Sequence, residues 1–457
     1  MLYLMKKKLL HHVLHNMFII LLRFVLVSYY SMEKIPTCDG DLTSDYLNNV
    51  LKGFKKISQV EIKQPRTHGM MSYVRKLFLT YDDTADLLCP PTLIAKYSRA
   101  AADNFCNENT SDIMRNGCLY KREVMLNRYL NGQDVVPVIY YAECNSEQNI
   151  ILLMEDCSSE CDVKVDDVNV VQKCMSIDKA FIAIKDLAAF QSEFYHKNQK
   201  MPGNGILAGN GDTVMKEKGL EWIPEYFSFV YYTTFHKEFI NSTNHDQFAG
   251  YTDDALKRLS KSVQDVWLEC CDYIITQIDF SSMPKYAKYG IQSKAITIKE
   301  SKTTVEENWY NAYKTLVEEA PLTIAHCDFR YDNVLIHNNQ MKLVDWQCAS
   351  LGCGMIDVMS LLSNSLDVVD VVENEEKILE TYADVLHQNG VSWLTLTALK
   401  KYYACALWYE FKNSLAFVKF MKGQHEKISG VSNEALEVMM LRKVAVSILS
   451  IHKYFYA

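Results

Sequence analysis

The sequence has few of the residues that interrupt regular structure. Its 457 residues include only 17 glycines and 9 prolines, and it contains no internal repeat and no low-complexity tract. This composition excludes an extended Gly/Pro-rich linker between mobile modules. A hydrophobic content of 49% and a charged content of 23% are typical of a globular protein with a large core. The length indicates two or three domains, or one two-lobed unit.

Paired cysteine motifs and basic stripes are also absent. The 14 cysteines are scattered, and no His/Cys cluster at zinc spacing follows the closest pairs, such as Cys157 and Cys161. We therefore expect reduced, mostly buried thiols rather than a zinc site or a disulfide framework. The net charge of -8, without a Lys/Arg stripe, excludes a typical nucleic-acid-binding surface.

The first 31 residues differ from the rest. Lys6 to Lys8 precede an apolar run from Met17 to Tyr30, which is short for a membrane span and contains Arg23. This pattern is typical of a signal peptide or anchor, but no small-residue cleavage site follows it, and a start at Met32 is an alternative. We expect a cytoplasmic protein in which only residues 1–31 could contact a membrane. A membrane-tethered or secreted binding protein is the competing hypothesis.

Residues 32–157 are predicted to be rich in β-structure. An amphipathic helix within residues 32–56 can be capped by Thr43 or Ser44. The predicted strands are Val60–Lys63, Tyr73–Thr80, Thr92–Tyr97, Val135–Ala142 and Asn149–Met154, with one helix from Leu119 to Leu130. The turn from Thr67 to Ser72, which contains Gly69, could cover phosphates through its backbone N–H groups, but a plain hairpin turn fits it equally well.

From residue 158 onward the pattern changes to long helices, so we place a boundary between residues 32–157 and residues 158–457. The predicted helices are Asp178–His196, Leu256–Ile278, Val305–Glu318, one beginning near Ile356, Glu373–Asn389, Leu394–Met421 and Ser432–Tyr456. The last strand before the boundary ends at Glu155, Asp156 and Cys157, a short acidic connector that suits a hinge between two lobes.

The strongest signal lies between Ala325 and Gln347. Asp328 is followed by Asn333, then by a predicted hairpin of Val334–His337 and Met341–Val344, and then by Asp345. A hairpin of this size would bring Asn333 and Asp345 side by side. Two hard oxygen ligands beside a third carboxylate are what a magnesium–phosphate site needs.

Two charged residues upstream could complete such a site. Lys96 lies between strand-forming apolar residues, where a buried ammonium group is costly unless it is paired. Glu123 lies on the helical face that also carries Leu119 and Leu126, and could pair with Lys96. In both cases the alternative is an ordinary solvated side chain at an edge strand or a helix surface.

The pattern His326–Asn333, then Leu343–Gln347, then Gly354–Asp357, resembles the aminoglycoside phosphotransferase and choline kinase-like group, and within it the ecdysteroid kinase-like (CHK kinase-like) family. The resemblance covers about residues 40–440. It implies an α+β, protein-kinase-like two-lobed fold, with a β-rich N-lobe, a mainly helical C-lobe and ATP between them.

The resemblance also implies a role for each matching residue. Asp328 would be the catalytic base and Arg330 a cation near the transferred phosphoryl group, while Asn333 and Asp345 would hold Mg²⁺. Lys96 would bind the phosphates and be fixed by Glu123. The other implied positions are Gly69 and Ser72 over the phosphates, Glu155, Asp156 and Cys157 at the adenine, and His326 and Asp357 as structural supports.

Two departures from the family pattern concern this loop. Cys327 replaces the usual glycine, which should be tolerated if its backbone does not need a positive φ. Trp346 and Gln347 follow the metal aspartate where protein kinases have Phe-Gly, which favours a small-molecule kinase.

The expected function is therefore ATP- and Mg²⁺-dependent transfer of the γ-phosphate to a small-molecule hydroxyl. A non-catalytic pseudokinase that binds nucleotide or a partner protein is the alternative. The acceptor could be a sterol-like alcohol or an amino alcohol, because aromatic residues in Tyr226–Phe235 and at Tyr402, Tyr403, Trp408 and Tyr409, beside Glu410, could line a pocket. Aromatic residues at such spacing are more often core.

Overall fold

The computed structural model describes most of the chain between residues 34 and 455. The described ranges are 34–63, 72–82, 89–98, 118–157, 174–195, 252–337, 339–408 and 433–455, with single positions or pairs between 223 and 241. The predicted N-terminal extension, Gly69, and most of the aromatic segments at residues 226–235 and 409–410 lie outside these ranges.

The first part of the chain forms a five-stranded antiparallel sheet in the order β1-β2-β3-β5-β4. Its strands are β1 (Ile57–Lys63), β2 (Ser72–Tyr81), β3 (Thr92–Ser98), β4 (Ile139–Cys144) and β5 (Ile150–Glu155). One face packs against helix α1 (Ser44–Val50), and the other packs against helix α2 (Leu119–Leu130). Side chains alternate between the faces along each strand, so consecutive residues feed two separate apolar clusters.

Two elements in this part of the chain begin or end at other residues than predicted. Helix α1 begins where predicted, because Thr43 Oγ1 accepts a hydrogen bond from the Tyr46 N–H at 3.1 Å, but it ends by Leu51. Strand β4 starts at Ile139 rather than Val135. Pro137 has no N–H for a ladder, and the Asn131 side chain pairs with both backbone groups of Ile139, at 2.8 and 3.0 Å.

The second part of the chain is mainly helical. Its helices are α3 (Ile177–Ser192), α4 (Asp253–Thr276), α5 (Pro284–Ala287), α6 (Ile291–Glu300), α7 (Lys302–Glu318), α8 (Met355–Ser365), α9 (Val368–Gln388), α10 (residues 396–408) and α11 (Asn433–Phe455). They share one large apolar core that includes the fully buried Trp267, Trp309 and Tyr382. Among the described helices, none is both long and apolar enough to cross a membrane.

Short strands inside the helical part carry the central motif. Strand β6 (Thr323–Ala325) pairs with β9 (Ser350–Gly352), and the predicted hairpin is present as β7 (Val334–His337) and β8 (Gln340–Leu343). The returning strand starts and ends one residue earlier than predicted. Together, the antiparallel sheet and the helical region that holds this hairpin form the predicted α+β, protein-kinase-like architecture, and the fold class is confirmed.

Candidate active site

Lys96 joins three parts of the fold. Its Nζ lies 2.6 Å from Oε1 of Glu123 in α2 and 2.6 Å from Oδ1 of Asp345, which follows the hairpin. Lys96 and Glu123 are 9% and 1% exposed. The alternative that each is an ordinary solvated side chain is therefore wrong. The sheet, helix α2 and the hairpin therefore meet at one buried ammonium group.

The two carboxylates that pair with Lys96 have pKa values shifted in opposite directions. Burial lowers the pKa of Lys96, but the carboxylates of Asp345 and Glu123 raise it, and its pKa lies above the ordinary value. Burial raises the pKa of Glu123 against the opposing effect of Lys96. Burial also raises the pKa of Asp345, but Lys96, His326 and Arg330 together outweigh burial, and the pKa is lowered. Asp345 is thus the more firmly ionised partner of Lys96.

The loop after β6 holds Asp328 from two sides. Asn333 Nδ2 donates to the main-chain oxygen and to Oδ2 of Asp328, both at 2.9 Å, and Arg330 Nε donates to Oδ1 at 2.9 Å. The loop is tightly turned, because the N–H groups of Asn333 and Val334 both bond to the Arg330 carbonyl. The Asp328 side chain keeps 27% of its surface exposed, so it is accessible to solvent.

The two clusters are joined through Val344. Its N–H donates to the Asn333 carbonyl at 3.0 Å. Its carbonyl accepts a hydrogen bond from His326 Nε2, also at 3.0 Å. Asp345 follows directly and has a φ of 68°, the left-handed conformation that aspartate tolerates better than most residues. The hairpin therefore brings Asp345 next to the loop that carries Asp328 and Asn333.

His326 and Asp357 lie beneath the loop. Burial lowers the pKa of His326 to about 4, so this side chain is neutral and donates from Nε2 to Val344. Asp357, in α8, accepts the main-chain N–H groups of His326 and Cys327, both at 2.8 Å. Burial raises the pKa of Asp357 to about 7, against the effect of these hydrogen bonds.

Cys327 has the left-handed backbone with which it cannot replace glycine freely. Its φ is 62°, a conformation that costs a non-glycine residue roughly 1–2 kcal/mol. Because this position needs a positive φ, cysteine does not replace the usual glycine without a cost in backbone conformation. The hydrogen bond from its N–H to Asp357 helps to hold the loop in this conformation.

A buried polar network behind Asp357 was not predicted. Gln191 in α3 donates from Nε2 to Asp357 Oδ2 at 2.9 Å, and its Oε1 accepts the hydroxyl of Tyr382. Tyr382 contacts Tyr195 at 3.1 Å, and Tyr195 accepts the Gly354 N–H at 3.1 Å. The available signal was Gln191 itself, because it follows Leu187 and Ala188 on the apolar stripe of an amphipathic helix.

Arg122 in α2 is a further residue that was not predicted to be part of the site. It is 5% exposed, and its Nη1 donates to the carbonyls of Gln347 and Ala349, at 3.4 and 3.2 Å. This side chain ties α2 to the segment after Asp345. Another unpredicted contact is Asp332 Oδ2, which lies 2.8 Å from Arg330 Nη1, so Arg330 is held between two carboxylates.

Of the predicted hinge and phosphate-loop residues, Glu155 and Ser72 lie on the sheet, whereas Gly69 is outside the described ranges. Glu155 ends β5, and its Oε2 accepts the Val138 N–H at 3.1 Å. Asp156 and the buried Cys157 follow, and Asp156 forms an ion pair with Lys76. Ser72 is the first residue of β2 rather than part of a turn, and it is 1% exposed.

Among the described aromatic residues proposed for an acceptor pocket, Tyr403 and Trp408 are core. Tyr403 and Trp408 in α10 are 0% and 1% exposed. The Tyr403 hydroxyl donates to the buried Glu375 at 2.8 Å, and Trp408 packs against Trp267 with ring centroids 4.7 Å apart. Tyr402 is only partly buried. The more common reading of such residues, as core, holds for Tyr403 and Trp408.

Comparison with known protein families identifies the central region. Residues 220–392 match the ecdysteroid kinase-like family. The matched stretch contains the Asp328 loop, the hairpin, Asp345 and Asp357. The resemblance expected from these residues is confirmed for residues 220–392.

Several solved structures are similar to the chain at low identity. An amicoumacin kinase in complex with AMP-PNP, Ca²⁺ and Ami has 10% identity and a TM-score of 0.41, covering 87% of this chain and 90% of that one. Choline kinase from Cryptosporidium parvum Iowa II has 12% identity and a TM-score of 0.40, covering 92% and 100%. A putative fructosamine-3-kinase from Thermobifida fusca YX-ER1 has 10% identity and a TM-score of 0.38, covering 88% and 99%. No curated protein sequence matches the chain.

Proposed function

We propose that the protein is an ATP- and Mg²⁺-dependent phosphotransferase that moves the γ-phosphate to a hydroxyl of a small molecule. One observation carries the proposal. Lys96 Nζ is paired with Glu123 and Asp345 at 2.6 Å, and the residue before Asp345 is hydrogen-bonded to the loop that holds Asp328 and Asn333. A phosphate-binding cation, two metal-type oxygen ligands and a general base thus share one site.

Asp328 is the catalytic base of this proposal. Arg330 and Asn333 donate to its two carboxylate oxygens, which fixes the orientation of the group toward an acceptor hydroxyl. Asp328 accepts the hydroxyl proton as the acceptor oxygen bonds to the γ-phosphorus, and the bond to the β-phosphate oxygen breaks. Phosphoryl transfer depends mainly on positioning and charge, so a fixed carboxylate is the main requirement.

The residues present fit a magnesium ion. Because Asn333 Nδ2 is engaged with Asp328, its Oδ1 is left as the acceptor for a cation, and Asp345 supplies a carboxylate. Mg²⁺ prefers few protein ligands together with phosphate oxygens and water. When bound, the ion would neutralise charge on the phosphates.

Two cations serve the phosphates. Lys96 pairs with Glu123 and with Asp345 Oδ1. In this proposal Lys96 binds the α- and β-phosphates, whose oxygens take over from Asp345 Oδ1 as its partner. Arg330 lies between Asp328 and Asp332, beside the proposed position of the transferred group, where a planar guanidinium stabilises spreading negative charge. The base of the nucleotide is assigned to the segment from Glu155 to Cys157.

A labelled-transfer screen tests the proposal. The purified chain is incubated with Mg²⁺, ATP labelled in its γ-phosphate and a fractionated metabolite extract, and labelled small molecules are separated. We expect at least one labelled product that needs both Mg²⁺ and a compound with a hydroxyl group. Mg·ATP binding without transfer to any fraction would instead support the non-catalytic pseudokinase.

A further inference from the structure

The end of β5 carries a buried ion pair that the proposed phosphate chemistry does not use. Lys76 Nζ in β2 lies 2.7 Å from Oδ2 of Asp156, and the two side chains are 23% and 3% exposed. A carboxylate so deeply buried is costly unless a cation accompanies it. The pair therefore fixes β2 against the first residue beyond β5.

The strand register shows which face of the sheet this pair occupies. Lys76 lies directly opposite Ile94 of β3, and Ile94 lies directly opposite Met154 of β5. Residues directly opposite each other on neighbouring strands point to the same face. Lys96 follows Ile94 by two positions, so it shares that face and lies about 7 Å further along the strand.

This face has a charged end and a mixed end. At Lys96 it meets Glu123 and Asp345, where the phosphates are placed. At the other end the row of Lys76, Ile94 and Met154 combines apolar surface with the ion pair at Asp156. Apolar side chains suit the flat face of a base, an ammonium group suits its ring nitrogens or its π-system, and a carboxylate suits an exocyclic amino group.

We infer that Lys76 and Asp156 form the base-recognition end of the nucleotide site and make the protein select a nucleoside triphosphate whose base carries an exocyclic amino group over a bare triphosphate. The inference rests on the proposed function, since it assumes that the phosphates bind at Lys96. It adds Lys76, and a side-chain contact from Asp156, to the segment that the proposed function assigns to the base of the nucleotide.

Binding measurements on two ligands test this assignment. Mg·ATP and Mg·tripolyphosphate are titrated by calorimetry into the wild type, Lys76→Met and Asp156→Asn. We expect either substitution to weaken Mg·ATP by about tenfold, equivalent to about 1.4 kcal/mol, and to leave tripolyphosphate within about twofold. Lys76→Arg, which keeps the charge, should retain most of the preference for ATP.

Lys63→Met is the matched control. Lys63 lies directly opposite Lys76 on β1, but its side chain is 57% exposed and pairs with Glu61. This variant should bind both ligands as the wild type does. Equal weakening of ATP and tripolyphosphate by Lys76→Met and Asp156→Asn, or unchanged ATP binding, would overturn the inference alone. A wild type that binds neither ligand would overturn the proposed function and this inference with it.

Discussion

Asp357 accepts the main-chain N–H of Cys327 at 2.8 Å and so holds the residue before Asp328 in a left-handed conformation. The bond runs from helix α8 to the loop, and the second oxygen of the same carboxylate accepts the His326 N–H. The position of Asp328 therefore depends on the Asp357 carboxylate, which is not proposed to contact ATP or Mg²⁺.

Replacing Gln191 by leucine should slow turnover without weakening nucleotide binding. The change removes the donor to Asp357 Oδ2 and the acceptor of the Tyr382 hydroxyl, and it leaves both groups buried. We expect kcat to fall by about tenfold, as for about 1.4 kcal/mol of lost positioning, with KM for ATP within about twofold. Steady-state kinetics at varied ATP measure both values, and Gln388→Leu on the exposed end of α9 is the control. A rise in KM with unchanged kcat would contradict a role in positioning.

Gly354 should not tolerate alanine. A Cβ there would lie 2.2 Å from the Tyr195 hydroxyl, 2.5 Å from Gln191 Oε1 and 2.5 Å from the Tyr382 hydroxyl. All three atoms belong to one buried network, so the free energy of unfolding should drop by about 1–3 kcal/mol in a denaturant titration. Gly40→Ala is the control, since its nearest neighbour would be Cys38 Sγ at 3.8 Å. Equal stability of the two variants would contradict the packing described here.

Turnover should rise with pH as Asp357 ionises. Only the ionised carboxylate accepts hydrogen bonds on both oxygens without a competing proton, and burial raises its pKa to about 7. Hydrogen bonds from His326, Cys327 and Gln191 lower this pKa, so Gln191→Leu should move the rise to higher pH. The profile of kcat for the two proteins checks this, and identical profiles would exclude Asp357 as the titrating group.

The raised pKa of Asp357 makes stability fall with rising pH, whereas turnover should rise. The folded state binds the Asp357 proton more tightly than the unfolded state, whose carboxyl has its ordinary pKa of 3.8. Between about pH 4 and pH 7 unfolding therefore releases this proton, and the residue contributes less to stability as the pH rises through that range. This contribution is fully lost above pH 7, where turnover should be highest.

Removal of the Asp345 carboxylate should abolish the magnesium dependence of nucleotide binding. Asp345→Ala deletes one proposed metal ligand and one partner of Lys96. We expect ATP affinity in the variant to be the same with Mg²⁺ and with EDTA, whereas the wild type binds at least about tenfold more tightly with Mg²⁺. Asp272→Ala, which breaks a more exposed pair with Lys299, is the control and should keep the dependence.

The parts of this structure that follow from neighbouring residues were predictable. Helix α2 begins and ends where its periodicity indicates, and the hairpin between Asn333 and Asp345 is shifted by only one residue in its second strand. The spacing of Asp328, Asn333 and Asp345 therefore indicated the candidate site before any contact was visible. Local pattern and turn chemistry determine these features.

The remainder depends on contacts between distant positions. Gln191 and Asp357 are separated by 166 positions, and no periodicity links them. Arg122 was not predicted to be part of the site, because it bonds to Ala349, 227 positions away in the chain. The left-handed Cys327 was treated as a condition rather than a prediction, since a cysteine does not itself signal a positive φ. Long-range packing determines these three features.

Phosphate transfer by Asp328→Asn tests the central claim most directly. The wild type, the variant and the exposed control Asp384→Asn are given ATP labelled in its γ-phosphate, Mg²⁺ and an acceptor found by the screen, and Mg·ATP binding is measured in parallel. We predict that Asp328→Asn loses about 10²–10⁴-fold in transfer while its ATP affinity stays within about twofold. Transfer by Asp328→Asn at the rate of the control would contradict the proposal that Asp328 is the base.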